Sequence, residues 1–591
     1  MARPLLTALL LLLVASRAHA APGDLDPTFG SGGIVTLTPS TNTIGGYVAT
    51  RPDGGVTVVA TAADPTSTFF ADRRRIVVEQ LRSDGSLDPD FADGGIGYYV
   101  LEAGQNPDQS FAQALVRQPD GRLLIAGGAF GVVAKYGFLR LLPDGTPDPD
   151  FGTNGIALFD PLDTESIGTI LLEPDGHILL GDDAAVGDRR ELVVRRFDSR
   201  GAPDPDFGQG GMVHVGPAPD VSNQIAGLAR LDDGSIVAVG VAFPDDNGVE
   251  SVATRLHPDG QVDETFGDKG AVVLANGKWP IDVARTGDGH LVVATADFGV
   301  FRLSEDGALD TTYGDDGYAH VSFAYSTPGL APYVMAMAVD DEGRVLLGGQ
   351  APSPAALYAY ALARVSADGH QDTSFGAFGF VLTPVGSQGT IAGIALQSDA
   401  RVVVAGFTYP VGPGGHVLAV AQYDGDGTAT GGPCTTGSGE LLLRRLTDPL
   451  GDELFDVSAT IPLAPGATVG PVASGLRLRM ADGAATPLLD VGAPAGAFDG
   501  TTRRGWKQQK MAGVWGFTDK SGETSIRNAI VRRVNARTLH VSARVQTYLS
   551  VSPAATPLRV RFEFAGGPCG TVTFSAERCA GRASGDRLLC R

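Results

Sequence analysis

The first 433 residues of this 591-residue chain contain no cysteine; all four (Cys434, Cys569, Cys579, Cys590) lie in the last third. Neither a disulfide nor a thiolate metal site can therefore hold the larger part together, and packed apolar surface and hydrogen bonds must do so. The four cysteines lack the paired Cys-x-x-Cys clusters of a zinc site. In an exported chain an even number reads as two disulfides, with free thiols as the alternative; three connectivities are open, and Cys579–Cys590 with Cys434–Cys569 is the first to test. Long apolar runs are missing as well. Arg3, the apolar stretch Leu5 to Val14 and Ala18-His19-Ala20 form the pattern of a signal peptide over 1–20, too short to span a bilayer. No cysteine follows that cleavage site, which argues against a lipid anchor, and no later stretch offers a transmembrane segment. The sequence also has no G-x-S-x-G, no H-E-x-x-H and no Walker-type glycine loop, and its nine histidines are scattered. No nucleophile, base and orienting group can be picked out, so catalytic residues: none. Basic charge is short overall, at 45 Lys plus Arg against 67 Asp plus Glu. From Ser438 onward the balance is 20 to 13 the other way, so the preceding region carries −29 of the net −22. That field repels phosphate and excludes nucleic acid as the partner of the larger region.

What the chain has is repetition. LDPTFGSGG at Leu25 returns as LDPDFADGG at Leu87, PDPDFGTNG at Pro147, PDPDFGQGG at Pro203, VDETFGDKG at Val262, LDTTYGDDG at Leu309 and QDTSFGAFG at Gln371. Its aromatic position (Phe29, Phe91, Phe151, Phe207, Phe266, Tyr313, Phe375) recurs every 47 to 62 residues, a period that means a propeller, solenoid or array. Between these copies stands a second motif, a polar turn followed by an apolar run, as in PDGRLLIAGG at Pro119 and DDGSIVAVG at Asp232. Asp-Gly between β-rich runs is a hairpin signal, because glycine takes positive φ without steric cost. A third apolar run such as FLRLLPDG and a fourth such as GIALF complete four short strands per repeat. The chain opens on a lone fourth strand near Ile34 and ends on three strands around Ile391 to Tyr423. Pairing Ile34 with the strand around Val417 to Gln422 would close the circle and remove two open edges.

The combination of PDG, an apolar run and L-D-x-x-F-G-x-x-G at a period near 60 resembles the delta-60 repeat family of bacterial exported β-propeller proteins. The resemblance covers 23–427. It implies a propeller in an exported protein and carries no reaction with it. The expected fold is all-β: a seven-bladed β-propeller with circular closure over 23–427, a Gly- and Thr-rich linker at 428–439, and a disulfide-containing, β-sandwich-like domain at 440–591. Trp506 and Trp515 are expected in the core of that domain.

Repeated polar residues read first as structure. The Asp three places before each aromatic (Asp26, Asp88, Asp148, Asp204, Asp263, Asp310, Asp372) suits a turn that caps its own amides. Calcium is the alternative reading, although no copy offers a full calcium-loop ligand pattern; no other cofactor is expected. A second position holds Gln80, Arg140, Arg196, Arg255, Arg302, Arg364 and Gln422 in mid-strand. A guanidinium among apolar neighbours needs a fixed partner, so we expect clasps Arg140–Asp148, Arg196–Asp204, Arg255–Asp263, Arg302–Asp310 and Arg364–Asp372. Anion capture by an Arg ring is the alternative. Antiparallel order puts the near-constant turns at one end and the variable loops at the other. Binding residues sit on loops held by a scaffold, so Phe69, Phe70, Arg73, Phe243, Trp279, Tyr325, Tyr333, Tyr358 and Tyr409 are the candidates. The expectation is a monomeric, non-enzymatic scaffold, secreted, periplasmic or on the cell surface, that binds an extracellular protein or glycan. A propeller hydrolase or lyase acting on extracellular glycans, and a cell-surface structural protein, are the alternatives.

Overall fold

In a computed structural model the described residues contain β-strands and no helix. They comprise 22–38, 42–63, 73–101, 109–130, 134–159, 167–186, 189–215, 222–243, 248–323, 329–353, 356–376, 379–410 and 415–425. Beyond these only the strand segments between 435 and 590, with Gln509, are described. The chain divides into two compact units, one of Pro22–Gly427 and one built from Thr428–Ala484 and Leu488–Arg591.

The second repeat shows how sequence becomes strand in the first unit. Gln109–Arg117 and Leu123–Phe130 pair antiparallel across Gln118-Pro-Asp-Gly121. Gln118 N–H and Arg122 C=O hydrogen-bond at 2.8 Å, and Gly121 sits at φ 91°. Ala134–Leu141 pairs next, and Ile156–Phe159 lies outermost. Apolar residues on both faces of these inner strands are buried, because each sheet is covered on both sides by its neighbours. The same antiparallel order recurs among the described residues over 44–99, 167–215, 222–276, 280–320 and 333–383. A last set comprises Gln388–Leu396, Val402–Tyr409 and Val417–Tyr423. Its fourth strand is the N-terminal Ile34–Leu37, in register Ile34↔Ala421 to Leu37↔Leu418.

Apolar clusters lie between consecutive sets. Phe151 packs with Phe138, Ile170 and Phe197 across one junction, and Phe29 packs with Val58, Val77 and Val403 across another. Where the first strand of the 44–99 set crosses the last set, a Cβ at Gly46 would sit 2.7 Å from Gly406 Cα, so backbone meets backbone there. All seven repeated aromatics are fully buried. Each buries enough apolar surface to contribute about 2–3 kcal/mol.

The C-terminal unit holds a five-stranded and an eight-stranded sheet among the described residues. Trp506 is buried against Phe517 at 5.3 Å, whereas Trp515 is half-buried. The expected linker at 428–439 is shorter than its composition suggests, since Thr435–Thr436 and the start of Ser438–Arg444 are already in strands. Cys579 stands opposite Cys590 in an antiparallel pair, and Gly570, next to Cys569, pairs Thr435. Cys434 lies outside the described residues, as do the side chains of the other three cysteines.

Candidate functional site

The two ends of the repeat unit differ chemically. At the end carrying the constant turns, each repeated Asp uses its two oxygens differently. Oδ1 accepts the amide of the residue two places on, at 3.0 Å from Asp150 N to Asp148 and from Thr312 N to Asp310. Oδ2 takes a guanidinium Nε, at 2.8 Å from Arg140, 2.6 Å from Arg196, 2.8 Å from Arg255, and 2.7 Å from both Arg302 and Arg364. The same guanidinium lies over the repeated aromatic, 4.3 Å from the Phe151 centroid for Arg140 and 4.7 Å from Phe375 for Arg364.

The clasp also leaves its own set, which spacing along the chain could not show. Arg140 Nη1 donates to Ser199 O and Arg196 Nη1 to Pro258 O, both at 2.6 Å in the following set. Arg255 and Arg302 reach Glu305 O and Ala367 O in the same way. The two Gln copies are rescued from the neighbouring turn: Asp88 receives Arg51 at 2.6 Å besides Gln80, and Asp26 receives Arg401 at 3.0 Å. Burial raises the Asp263 carboxyl, but the Thr265 hydroxyl and amide and Arg255 outweigh it and hold it at about 2. At Asp310 the Thr312 hydroxyl leads and, with the Thr312 amide and Arg302, outweighs burial to the same result. With both oxygens engaged, these carboxylates join the turn to the guanidinium.

At the opposite end lie the variable loops. Phe243 meets Trp279 edge to face at 5.5 Å, and Tyr409 meets His416 edge to face at 4.0 Å. Trp279, Tyr333 and Tyr409 are 43%, 45% and 40% exposed, while Arg73, Phe243 and Tyr358 are half-buried. Phe69, Phe70 and Tyr325 lie outside the described residues. The structure thus joins Phe243 to Trp279 and shows no contact among Trp279, Tyr333 and Tyr409. Sequence reading missed a polar network beside Trp279, in which Lys278 pairs with Asp297 and lies over the Tyr318 ring, whose hydroxyl is 3.1 Å from Asp297. It is half-buried and lies in the shortest repeat, where Thr295 to Gly299 turns tightly and Phe298 takes φ 61°.

Every first strand carries a β-bulge, one extra residue against its partner: Gly46, Gln113, Gly168, Ala226, Ile281, Met335 and Ala392. Bulges re-aim side chains near sites. Small and apolar residues at six of the seven leave Gln113 as the polar exception.

Comparison with known proteins agrees with this pattern. A family model described as a domain of unknown function (DUF5122) beta-propeller matches residues 118–151 and 231–266. The chain carries β-propeller repeats. Both matched segments run from the polar turn through the repeated Asp to the aromatic. No curated protein is significantly similar to the chain. Among solved structures, a protein of unknown function from Dyadobacter fermentans is 11% identical, covers 66% of this chain and all of its own, with TM-score 0.36. One from Bacteroides caccae is 13% identical over 50% of this chain and 87% of its own, at 0.29. A structure titled "YCF48 bound to D1 peptide" is 14% identical over 70% of this chain and all of its own, at 0.36.

Two predictions follow from the buried charges. Arg364→Ala should cost up to about 3–5 kcal/mol in thermal or denaturant unfolding, because the Asp372 carboxylate, only 14% exposed, loses its guanidinium. Arg140→Ala should cost less, since Arg122 Nε remains 2.9 Å from Asp148; removing both Arg140 and Arg122 should restore the full loss. Arg364→Met/Asp372→Leu should recover only part, as the turn amide loses its acceptor. A melt of Arg364→Ala matching wild type would refute the staple. Glu79 behaves oppositely. It is 1% exposed, neither carboxyl oxygen has a hydrogen-bond partner among the described residues, and burial pushes it up to about 8. Its neutral form suits the fold, so stability is fully present below pH about 4.5 and falls as pH rises towards 8. Glu79→Leu should therefore gain roughly 3–5 kcal/mol at pH 9 and close to nothing at pH 4. Equal gains at both values would refute the assignment.

Proposed function

We propose that the repeat unit is a seven-bladed β-propeller closed by its N-terminal strand, and that it serves as an exported, non-enzymatic binding scaffold. Three features support closure. The first strands of consecutive sets neighbour one another around all seven junctions, including Ile44–Thr50 beside Gln388–Leu396. Ile34–Leu37 completes the last set, and Gly376 N donates to Pro22 O just as Gly152 N donates to Arg200 O elsewhere. The constant end is stitched from set to set by the guanidinium staples and offers little freedom to vary.

The observation that carries the binding reading is the opposite end, where Trp279 stands exposed in a connection and Tyr333 and Tyr409 stand exposed at the ends of strands that meet the variable loops. Exposed aromatics on a rigid frame supply contact area at low entropic cost, the usual anchors of protein or glycan recognition. The test is a glycan array and an extracellular-protein screen with wild type and Trp279→Ala/Tyr333→Ala/Tyr409→Ala. The triple variant should bind at least about 10-fold more weakly with an unchanged melting temperature. Loss instead in Asp53→Lys/Asp232→Lys, at the stapled end, would overturn the reading.

Export rests on residues 1–20 and on the cysteines. Two backbone pairings support that reading: Cys579 lies opposite Cys590, and Gly570, the residue after Cys569, lies opposite Thr435. We therefore read two disulfides, Cys434–Cys569 and Cys579–Cys590. Intact mass of protein recovered outside the cytoplasm should begin at Ala21 and show no alkylation without reductant. Four alkylated thiols, or retention of residues 1–20, would refute it.

A further inference from the structure

A cavity of about 390 Å³ opens between the first strands that begin at Ile44 and Gln109. Ile44 and Gln109 start their strands and Thr61 lies near the end of the second strand, so the cavity belongs to the variable-loop end. Its size is near the lower bound of small-ligand pockets, roughly 300–1,000 Å³. Among the described residues its lining includes no charged side chain.

The wall holds a polar group with nothing to bind. Gln113 Oε1 is buried and has no hydrogen-bond partner among the described residues. Gln113 is also the one polar residue inserted by the seven first-strand bulges. A buried acceptor left unmade is unfavourable, and a ligand donor relieves that cost. Beside it, Thr61 Oγ1 accepts the Ala112 amide at 3.0 Å, which leaves the hydroxyl hydrogen to donate. Gln109 adds an amide at the rim. Tyr47 and Phe111 supply aromatic walls, and burial keeps the Tyr47 phenol neutral by pushing it up to about 12.

We propose that this cavity binds the end of a neutral saccharide, with a sugar hydroxyl donating to Gln113 Oε1 and a ring face against Tyr47 or Phe111. Amide, hydroxyl and aromatic groups without a cation match a polyhydroxy ligand. Carboxylate or phosphate ligands would find no counter-charge there, within a region of net −29. The proposal rests on the variable-loop end being the binding end, and it narrows that reading to one pocket and one ligand class.

The test uses the full chain with calorimetry and ligand-observed NMR. Probes are neutral hexopyranosides, N-acetylglucosamine and their disaccharides, with glucuronate and a neutral tripeptide as controls. At least one neutral saccharide should bind, and Gln113→Leu should weaken it about 10-fold. Leu158→Ala, on an exposed side chain outside the cavity and outside the three binding aromatics, should leave it unchanged. Gln113→Leu should melt no lower than wild type, because it removes an orphan acceptor; if it fails to fold, Gln109→Ala at the rim gives the same readout. Absence of saturable binding by every neutral saccharide overturns the proposal, as does preference for glucuronate or the tripeptide. Saccharide binding that survives Gln113→Leu and falls with Tyr409→Ala also overturns the pocket, while the wider reading of that end stands.

Discussion

Every set of strands depends on one carboxylate that does two jobs. Its first oxygen holds the turn leading to the outer strand, and its second accepts a guanidinium, which for Arg140, Arg196, Arg255 and Arg302 also spans to the next set. In the five arginine copies that guanidinium roofs the buried aromatic. Desolvating such a pair is costly, and multiple charge-assisted hydrogen bonds are what make it tolerable. The constant partner is the carboxylate. Asp88 and Asp26 keep a guanidinium although Gln80 and Gln422 stand in the arginine position, because Arg51 and Arg401 arrive from the adjoining turn. Two sources of positive charge serve one acceptor, so the repeat tolerates substitution of the arginine more readily than of the aspartate.

This concentration of order at one end frees the other. Loops that carry no staple can change length without disturbing the junctions. The same logic separates the two kinds of polar residue. Those that recur in register are consumed by the scaffold, whereas Gln113 and the Lys278–Asp297–Tyr318 network each occur in a single repeat. Singularity within a repeating frame is the better pointer to recognition.

The repeats made much of this legible from sequence. The capping Asp, the buried aromatic and the strand order each appear seven times and the turn glycine six, so chance resemblance averages out. Ala400 shows the limit of such averaging, since it takes φ 65° in a turn where the other six copies use glycine. The far arm of each clasp was hidden, because Arg140 and Ser199 lie 59 positions apart and meet only through stacking of sets. The bulges were hidden too, as one extra residue hardly disturbs an alternating pattern. Glu79 read as an ordinary strand residue; its isolation emerges only when strand alternation aligns it with Val77 and Leu81, which pack against Phe29 and Val403. In the C-terminal unit alternation announces strands, but without a repeat nothing in the sequence orders them into sheets.

The pairing of Ile34 with Ala421 sets the order of events in folding. The first strand to be made has no partner until nearly the whole repeat unit exists, so its contact is among the least local the chain can form. Closing so long a loop costs little more than closing one half its length, but such pairings form slowly. Until then Val417–Tyr423 presents an open sheet edge. The unit therefore passes through an incomplete, association-prone arc.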